Sequence, residues 1–181
     1  MDKKTKLTTR DMVYTAMFAC LMTICAWISI PGQVPFTLHT MGVFLAVGLL
    51  GGKRGTLAIL VYVLMGAVGL PVFSGMTGGL GKLLGMTGGY IVGFLISALI
   101  MWAMEAIPVN RKWVLPLSMV LGLIACYAFG TAWFLVVYTR AKGAISLAAV
   151  LGMCVIPYII PDIIKIVCAL VLTRILKRFV K

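Results

Sequence analysis

Six long apolar runs, separated by short polar clusters, constrain the fold of this chain more than any other feature. The runs cover residues 12–30, 36–50, 56–70, 90–104, 113–138 and 144–173. A membrane-spanning helix needs about 20 mostly apolar residues, and this chain of 181 residues is 62% hydrophobic and only 11% charged. The pattern predicts an all-α, polytopic protein with six transmembrane helices, in which residues 1–181 form a single integral membrane domain within a lipid bilayer.

The basic residues predict how that domain is oriented, because Lys and Arg accumulate in cytoplasmic segments. If both termini are cytoplasmic, twelve of the sixteen Lys and Arg residues lie inside, three lie outside and Lys165 lies within a span. This bias predicts cytoplasmic N and C termini and an outward-facing segment at residues 71–89. It also accounts for the net charge of +12. The charges form clusters between apolar runs and not one stripe, so no nucleic-acid partner is expected.

The last apolar run is too long for one straight span. A helix over residues 144–173 would be about 45 Å long, against a hydrocarbon core of about 30 Å. Pro157 and Pro161 indicate where it breaks, because proline suits a first helical turn and disfavours helix in the residue before it. We expect a loop or interfacial segment at 144–156 and a main span that begins at Pro157 or Pro161. A start at Pro161 would place Asp162 in the first turn, where the helix dipole favours a carboxylate.

Asp162 and Lys165 are the most unusual residues of that span. Ionisable groups inside a membrane are costly, so each indicates a functional site. Three residues apart, they share one helix face. Asp162 precedes Arg174, the expected cytoplasmic boundary, by about 18 Å of helical rise, which places the pair in the outer half of the membrane. The pair is predicted to help bind a small polar solute. The alternative is an ion pair that neutralises itself and binds nothing.

Residues 71–89 contain seven glycines and repeat Met-Thr-Gly-Gly at 76–79 and 86–89. Glycine lets backbone groups approach a ligand closely, and a long loop without regular structure is often a lid. The segment is therefore predicted to be a shaped flap over the solute, with a flexible connector as the alternative.

In the first run, Ala16, Ala19 and Cys20 form a small-residue face that another helix could approach closely. Motifs for catalysis or energy coupling are missing from the sequence: Gly52-Lys53 and Gly81-Lys82 lack the Ser or Thr of a P-loop, and HExxH and GxSxG do not occur. The five cysteines have no metal-ligand spacing. The chain is not expected to be an enzyme or to bind a metal.

Several motifs, in one order and spacing, identify a family. They are VPFTL at 34–38, LGGKRG at 50–55, GLPVF at 69–73, GGL at 78–80, LGMTGGY at 84–90, GF at 93–94 and PDIIK at 161–165. Over nearly its whole length the chain resembles the BioY family, the biotin-binding S components of energy-coupling factor (ECF) transporters. The sequence departs from the family pattern at His39, where Gln is usual, at Met86, where Pro is usual, and at Cys20, where Ala is usual.

The resemblance implies a six-helix S-component fold in the plasma membrane of a prokaryote, and capture of biotin from outside. Biotin would be the transported substrate, and no cofactor is implied. The implied partners are a transmembrane scaffold subunit, whose coupling helices would dock on the small-residue face of the first helix, and two cytoplasmic ATPases. The alternative is a self-sufficient secondary carrier for biotin or another small vitamin-like solute, with Asp162 as a proton site.

Biotin has a ureido group with two N–H donors and a carbonyl, an apolar thioether ring and a carboxylate tail. Asp162 can accept from N–H groups and Lys165 can donate to a carbonyl or carboxylate. We expect the ureido ring to meet Asp162. The predicted substrate-binding residues are Asp162, Lys165, Tyr90, Gly79, Gly88, Gly89, Thr87, Thr37 and Gln33.

Overall fold

Helices form most of the chain in the computed structural model, which describes residues 8–32, 34–107 and 111–178. Within these ranges the helices are α1 (Thr9–Trp27), α2 (His39–Leu50), α3 (Gly52–Ala67), α4 (Leu80–Leu84), α5 (Gly88–Glu105), α6 (Arg111–Lys142), α7 (Leu147–Cys154) and α8 (Ile156–Leu176). Two short antiparallel strands, β1 (Ser29–Ile30) and β2 (Phe36–Thr37), lie between α1 and α2. The predicted helical class is confirmed.

Helix α2 lies at the centre of the fold. All its residues except Met41 are buried, and it packs against α1, α3, α5 and α8. A helix that is apolar all round has no face suited to water, so it is stable only when other elements surround it. The helices around α2 consequently determine which side chains face inward.

Helix α8 has an arrangement opposite to that of a soluble protein. Its polar residues Asp162 and Lys165 are buried, while Ile159, Ile163 and Val167 are exposed. This arrangement is expected where the outer surface faces lipid and polar groups face the interior of the bundle. Three helical stretches of the described part are long and apolar enough to cross a membrane: Gly88–Glu105, Trp113–Lys142 and Leu147–Leu176.

The last apolar run breaks just before Pro157, as predicted, but the segment at 144–156 that was expected to be a loop or interfacial segment contains helix α7. Helix α7 ends at Cys154, Val155 leaves the helical conformation, and α8 begins at Ile156 with Pro157 in its first turn. Because the helix continues through Pro161, Asp162 lies in the second turn. The expectation for a start at Pro161, that Asp162 would lie in the first turn, is therefore wrong.

The first run and the glycine-rich segment also differ from their expected form. Helix α1 ends at Trp27, because the backbone then turns into the β1–β2 hairpin. Residues 71–89 were expected to lack regular structure, but they contain α4 and the start of α5, as well as a bridge between Phe73 and Thr77. The segment therefore has a defined backbone path.

Helices α5 and α6 pack closely because small residues lie at their interface. A Cβ added to Gly130 would lie 2.3 Å from Cδ1 of Tyr90, and one added to Gly89 would lie 2.3 Å from Cβ of Trp133. Small residues at such crossings let two membrane helices approach. This contact sets the position of Tyr90, which belongs to the candidate site.

Candidate functional site: a cavity around a buried ion pair

Asp162 and Lys165 form an ion pair in the interior of the bundle. Nζ of Lys165 donates to Oδ1 of Asp162 at 2.6 Å, and the two residues are 4% and 5% exposed. One helical turn of α8 brings both to the same face, as their spacing predicts. Buried charges of opposite sign compensate each other, so each of these side chains has a partner in an otherwise apolar region.

Tyr127 of α6 provides the second partner of the carboxylate. Its hydroxyl donates a hydrogen bond to Oδ2 of Asp162. Each oxygen of Asp162 thus has one donor, from α6 on one side and from α8 on the other. A carboxylate oxygen has two lone pairs, so each can still accept one more hydrogen bond. The carboxylate is fixed in place and retains the capacity to bind N–H groups.

The β1–β2 hairpin closes one side of the site. Nζ of Lys165 lies 4.0 Å from the centre of the Phe36 ring, within the range of a cation–π interaction. The Phe36 ring stacks on Tyr158 of α8 with 6.4 Å between ring centres. The hydroxyl of Tyr158 donates to the backbone carbonyl of Val34. The hairpin is therefore tied to α8 next to the ion pair.

A cavity of about 80 Å³ is lined by the pair. This is below the range of about 300–1,000 Å³ that is usual for small-molecule sites, so its walls must move apart to admit a ligand. Among the residues that line it, Asp162 and Lys165 are the charged ones. Most of the others are apolar or aromatic, and the aromatic ones include Tyr62, Phe94 and Tyr158. Such a lining suits a ligand with an apolar body and a few polar groups.

The glycine-rich segment forms part of the cavity wall, and two indole side chains hold it in place. Nε1 of Trp27 donates to the carbonyl of Pro71 at 2.8 Å, and Nε1 of Trp133 donates to the carbonyl of Gly85 at 3.0 Å. Ser74 and Thr87 of this segment line the cavity. The segment is therefore a fixed part of the wall in this structure, and its hydrogen bonds disfavour the flexible-connector alternative.

The cavity brings together five of the predicted binding residues and leaves out three. Those that line it are Thr37, Thr87, Tyr90, Asp162 and Lys165. Gly79, Gly88 and Gly89 are not among the lining residues, and Gln33 lies outside the described residues. Gly79 has a positive φ of 93° and donates its N–H to the carbonyl of Gly66. Gly88 and Gly89 lie against Leu83 and Trp133. A direct ligand contact from these glycines stays a prediction.

The small residues of α1 do not all face the same way. Ala16 and Cys20 are exposed, whereas Ala19 is 1% exposed and packs in the core. Of the predicted docking residues, Ala16 and Cys20 thus form the surface that a partner helix could contact. Ala19 allows close packing inside the bundle instead.

Tyr127 is the site residue that sequence reasoning missed. It lies within the long apolar run of α6, where a tyrosine is equally consistent with an ordinary packing residue. Its one distinguishing signal is a hydroxyl group that needs a partner when buried in a membrane helix. His39, an ionisable group within the second apolar run and a weaker candidate than Asp162 and Lys165, also lies in the cavity wall.

The fold matches a solved structure described as the S-component for biotin from an ECF-type ABC transporter. The TM-score is 0.80, and the match covers 98% of this chain and 95% of the other, at 24% sequence identity. At this identity the match establishes the fold, which is that of an S component.

Sequence comparisons identify the family. A model of the BioY family matches residues 1–181. The biotin transporter BioY of Thermotoga maritima is 39% identical, over 93% of this chain and 96% of that protein. A probable biotin transporter BioY of Pyrococcus horikoshii is 37% identical, over 91% of this chain and 94% of that protein. The chain belongs to the BioY family, as its motifs indicate.

Proposed function

We propose that this chain is the substrate-binding membrane subunit of a biotin transporter. It captures biotin from outside the cell and delivers it inward together with an ECF-type module of a transmembrane scaffold and two cytoplasmic ATPases. Biotin is the transported substrate, and the chain acts neither as an enzyme nor with a cofactor of its own. The relatives named as biotin transporters and the likeness to an S component support this proposal.

The observation that carries the proposal is the buried pair of Asp162 and Lys165 in the wall of a largely aromatic and apolar cavity. A pair with only a structural role could be replaced by apolar residues at little cost, because desolvation offsets most of its attraction. Here the pair lines a cavity, and Tyr127 orients the carboxylate. This is the arrangement expected when both charges are directed at a ligand.

The chemistry of the site suits biotin with its ureido ring at Asp162. The ureido N–H groups meet the free lone pairs of Asp162, and the ureido carbonyl or the tail accepts from Lys165. The thioether ring packs among the aromatic side chains that line the cavity, including Tyr90 and Phe94. Thr37 and Thr87 supply further hydroxyl groups within the same cavity.

The proposed topology has six spans, both termini cytoplasmic, in the plasma membrane of a prokaryote. Residues 1–181 act as one integral membrane domain, a proposal supported by the family match over that whole length. The distribution of Lys and Arg supports the orientation. Val34 and Ser74, from the hairpin and the glycine-rich segment, line the cavity, so the cavity lies at the end of the bundle that this topology turns outward.

Uptake measurements separate this proposal from a self-sufficient carrier that uses Asp162 as a proton site. Vesicles containing the chain alone, or the chain with the ATPase module, are tested with labelled biotin, with and without a proton gradient. We expect accumulation that requires both the module and ATP. Accumulation by the chain alone, driven by the gradient, would support the carrier instead.

The exposed positions of α1 offer a second test, because docking and binding occur at different places. Ala16→Trp adds bulk to the proposed docking face and should abolish coupled uptake while leaving biotin binding by the isolated chain unchanged. Met17→Trp, at an exposed position about 100° around α1 from Ala16, is the matched control. Normal uptake with Ala16→Trp would exclude this face as the docking surface.

A further inference from the structure

His39 lies in the cavity wall between two aromatic rings. It is the first residue of α2 and is 4% exposed. Its ring centre lies 4.6 Å from that of Tyr62 and 4.3 Å from that of Phe94. Its side chain lines the same cavity as Asp162 and Lys165. The packing fixes the imidazole in one place beside the ion pair.

Nε2 of His39 has no hydrogen-bond partner among the described residues. Buried polar atoms are nearly always paired, because an unpaired one loses its bonds to water without replacement. The other described side chains with such an unpaired atom are Thr56, Ser97 and Thr173, whereas Oδ1 of Asp11 lies 2.8 Å from Nε of Arg54. None of them lines this cavity. His39 therefore combines an unsatisfied polar atom with a place at the binding site.

We propose that Nε2 of His39 forms a hydrogen bond with the ureido ring of bound biotin and so contributes to selecting the ligand. This inference rests on the proposed function. A neutral imidazole nitrogen either donates or accepts, according to its tautomer. The ureido group offers both N–H groups and a carbonyl, so it can pair with either tautomer, whereas the carboxylate tail only accepts. A bound ligand then supplies the hydrogen-bond partner that Nε2 lacks among the described residues.

Two substitutions separate this role from packing. His39→Phe keeps a ring against Tyr62 and Phe94 but has no polar atom. His39→Gln lacks the ring but has an amide that can donate and accept. If His39 were only a packing residue, His39→Phe would bind biotin at least as well as the wild-type protein and His39→Gln would bind worse. The proposal predicts the opposite order.

The experiment is calorimetry of the purified chain with biotin and with biotinamide, in which the ureido ring is kept and the tail carries no charge. We expect His39→Phe to lower the affinity for both ligands by a similar factor of roughly three to ten, the loss typical of one uncharged hydrogen bond. His39→Gln should stay within about threefold of wild type. Without ligand, His39→Phe should melt at or above the wild-type temperature, because it removes an unsatisfied buried nitrogen.

Each other outcome overturns a distinct claim. Unchanged affinity of His39→Phe for biotin would overturn the inference and leave the proposed function intact. If His39→Phe lost affinity for biotin but not for biotinamide, His39 would contact the tail, and the ureido assignment would be overturned. A wild-type chain that binds no biotin would overturn the proposed function and this inference with it. If His39→Phe does not fold, His39→Leu, which also lacks a polar atom, is measured against the same expectations.

Discussion

Tyr127 of α6 donates a hydrogen bond to Oδ2 of Asp162 on α8, so two helices that are distant in sequence jointly hold one carboxylate. The other oxygen, Oδ1, accepts from Lys165. The orientation of the carboxylate, and hence of the lone pairs that remain for a ligand, depends on how α6 and α8 pack. Substitution of Tyr127 should therefore alter binding, although this residue and the ion pair lie on different helices.

Tyr127→Phe tests this link directly. The substitution removes a hydrogen bond to a charged group, which is worth about 1.5–3 kcal/mol, and leaves the ring in place. We expect biotin affinity to fall by about tenfold or more, measured by calorimetry. Tyr138→Phe is the matched control, because it makes the same change on the same helix at a residue that does not line the cavity. Equal affinity of the two variants would show that Tyr127 does not position the carboxylate.

Phe36→Leu tests the contribution of the hairpin. The ring of Phe36 lies against the ammonium group of Lys165, and a partly desolvated cation–π contact is worth about 0.5–2 kcal/mol. The variant should bind biotin roughly three- to tenfold more weakly. Phe129→Leu serves as the control, because Phe129 stacks on Trp133, away from the ion pair. Wild-type affinity of Phe36→Leu would show that the contact between the hairpin and Lys165 does not contribute to binding.

Gly130→Ala tests the close packing of α5 against α6. Its new Cβ would lie 2.3 Å from the Tyr90 ring, so the ring or the helix must move. Overpacking of this kind costs about 1–3 kcal/mol, and thermal unfolding in detergent should occur at a lower temperature. Gly152→Ala, where a Cβ would meet nothing within 4 Å, should instead raise the unfolding temperature slightly, because alanine favours helix. If both substitutions changed the unfolding temperature equally, the contact between residue 130 and the Tyr90 ring would not limit the packing of α5 against α6.

Trp133→Phe tests whether the indole holds the glycine-rich segment. It removes the hydrogen bond to the carbonyl of Gly85 and keeps an aromatic ring beside Gly89. Amide hydrogen exchange in residues 80–87 should become faster, because the segment opens more often. Trp113→Phe, at an exposed position of α6, should leave that exchange unchanged. Unaltered exchange in Trp133→Phe would mean that other contacts hold the segment.

Features that depend on residues close together in the sequence could be predicted from the sequence alone. The apolar runs predict helices, the two prolines predict the break before α8, and the spacing of Asp162 and Lys165 predicts a shared face. The motifs in their fixed order predict the family. Thr37, Thr87 and Tyr90 line the cavity, and their contact with a ligand stays a prediction.

The remaining features depend on contacts between distant segments. The pairing of Tyr127 with Asp162 requires knowing which face of α6 meets α8, and a tyrosine in an apolar run does not reveal this. Glycines are ambiguous for a physical reason, because a missing side chain lets either a ligand or another helix approach. Gly89 lies against Trp133, and its predicted contact with the ligand stays a prediction. A hairpin of two-residue strands is too short to give a periodic signal.

Binding of biotin by the purified chain, compared with its Asp162→Asn and Lys165→Ala variants, tests the central claim most directly. Titration calorimetry without ATP should show one biotin bound per wild-type chain. Each variant removes a charged group that is proposed to contact biotin, and truncation of one partner of a hydrogen-bonded charge pair typically costs about 2–5 kcal/mol of binding, so affinity should fall by about a hundredfold or more. Thermal unfolding of each variant establishes that it is folded. Biotin affinity that is undiminished in both folded variants would contradict the assignment of this ion pair to the binding site.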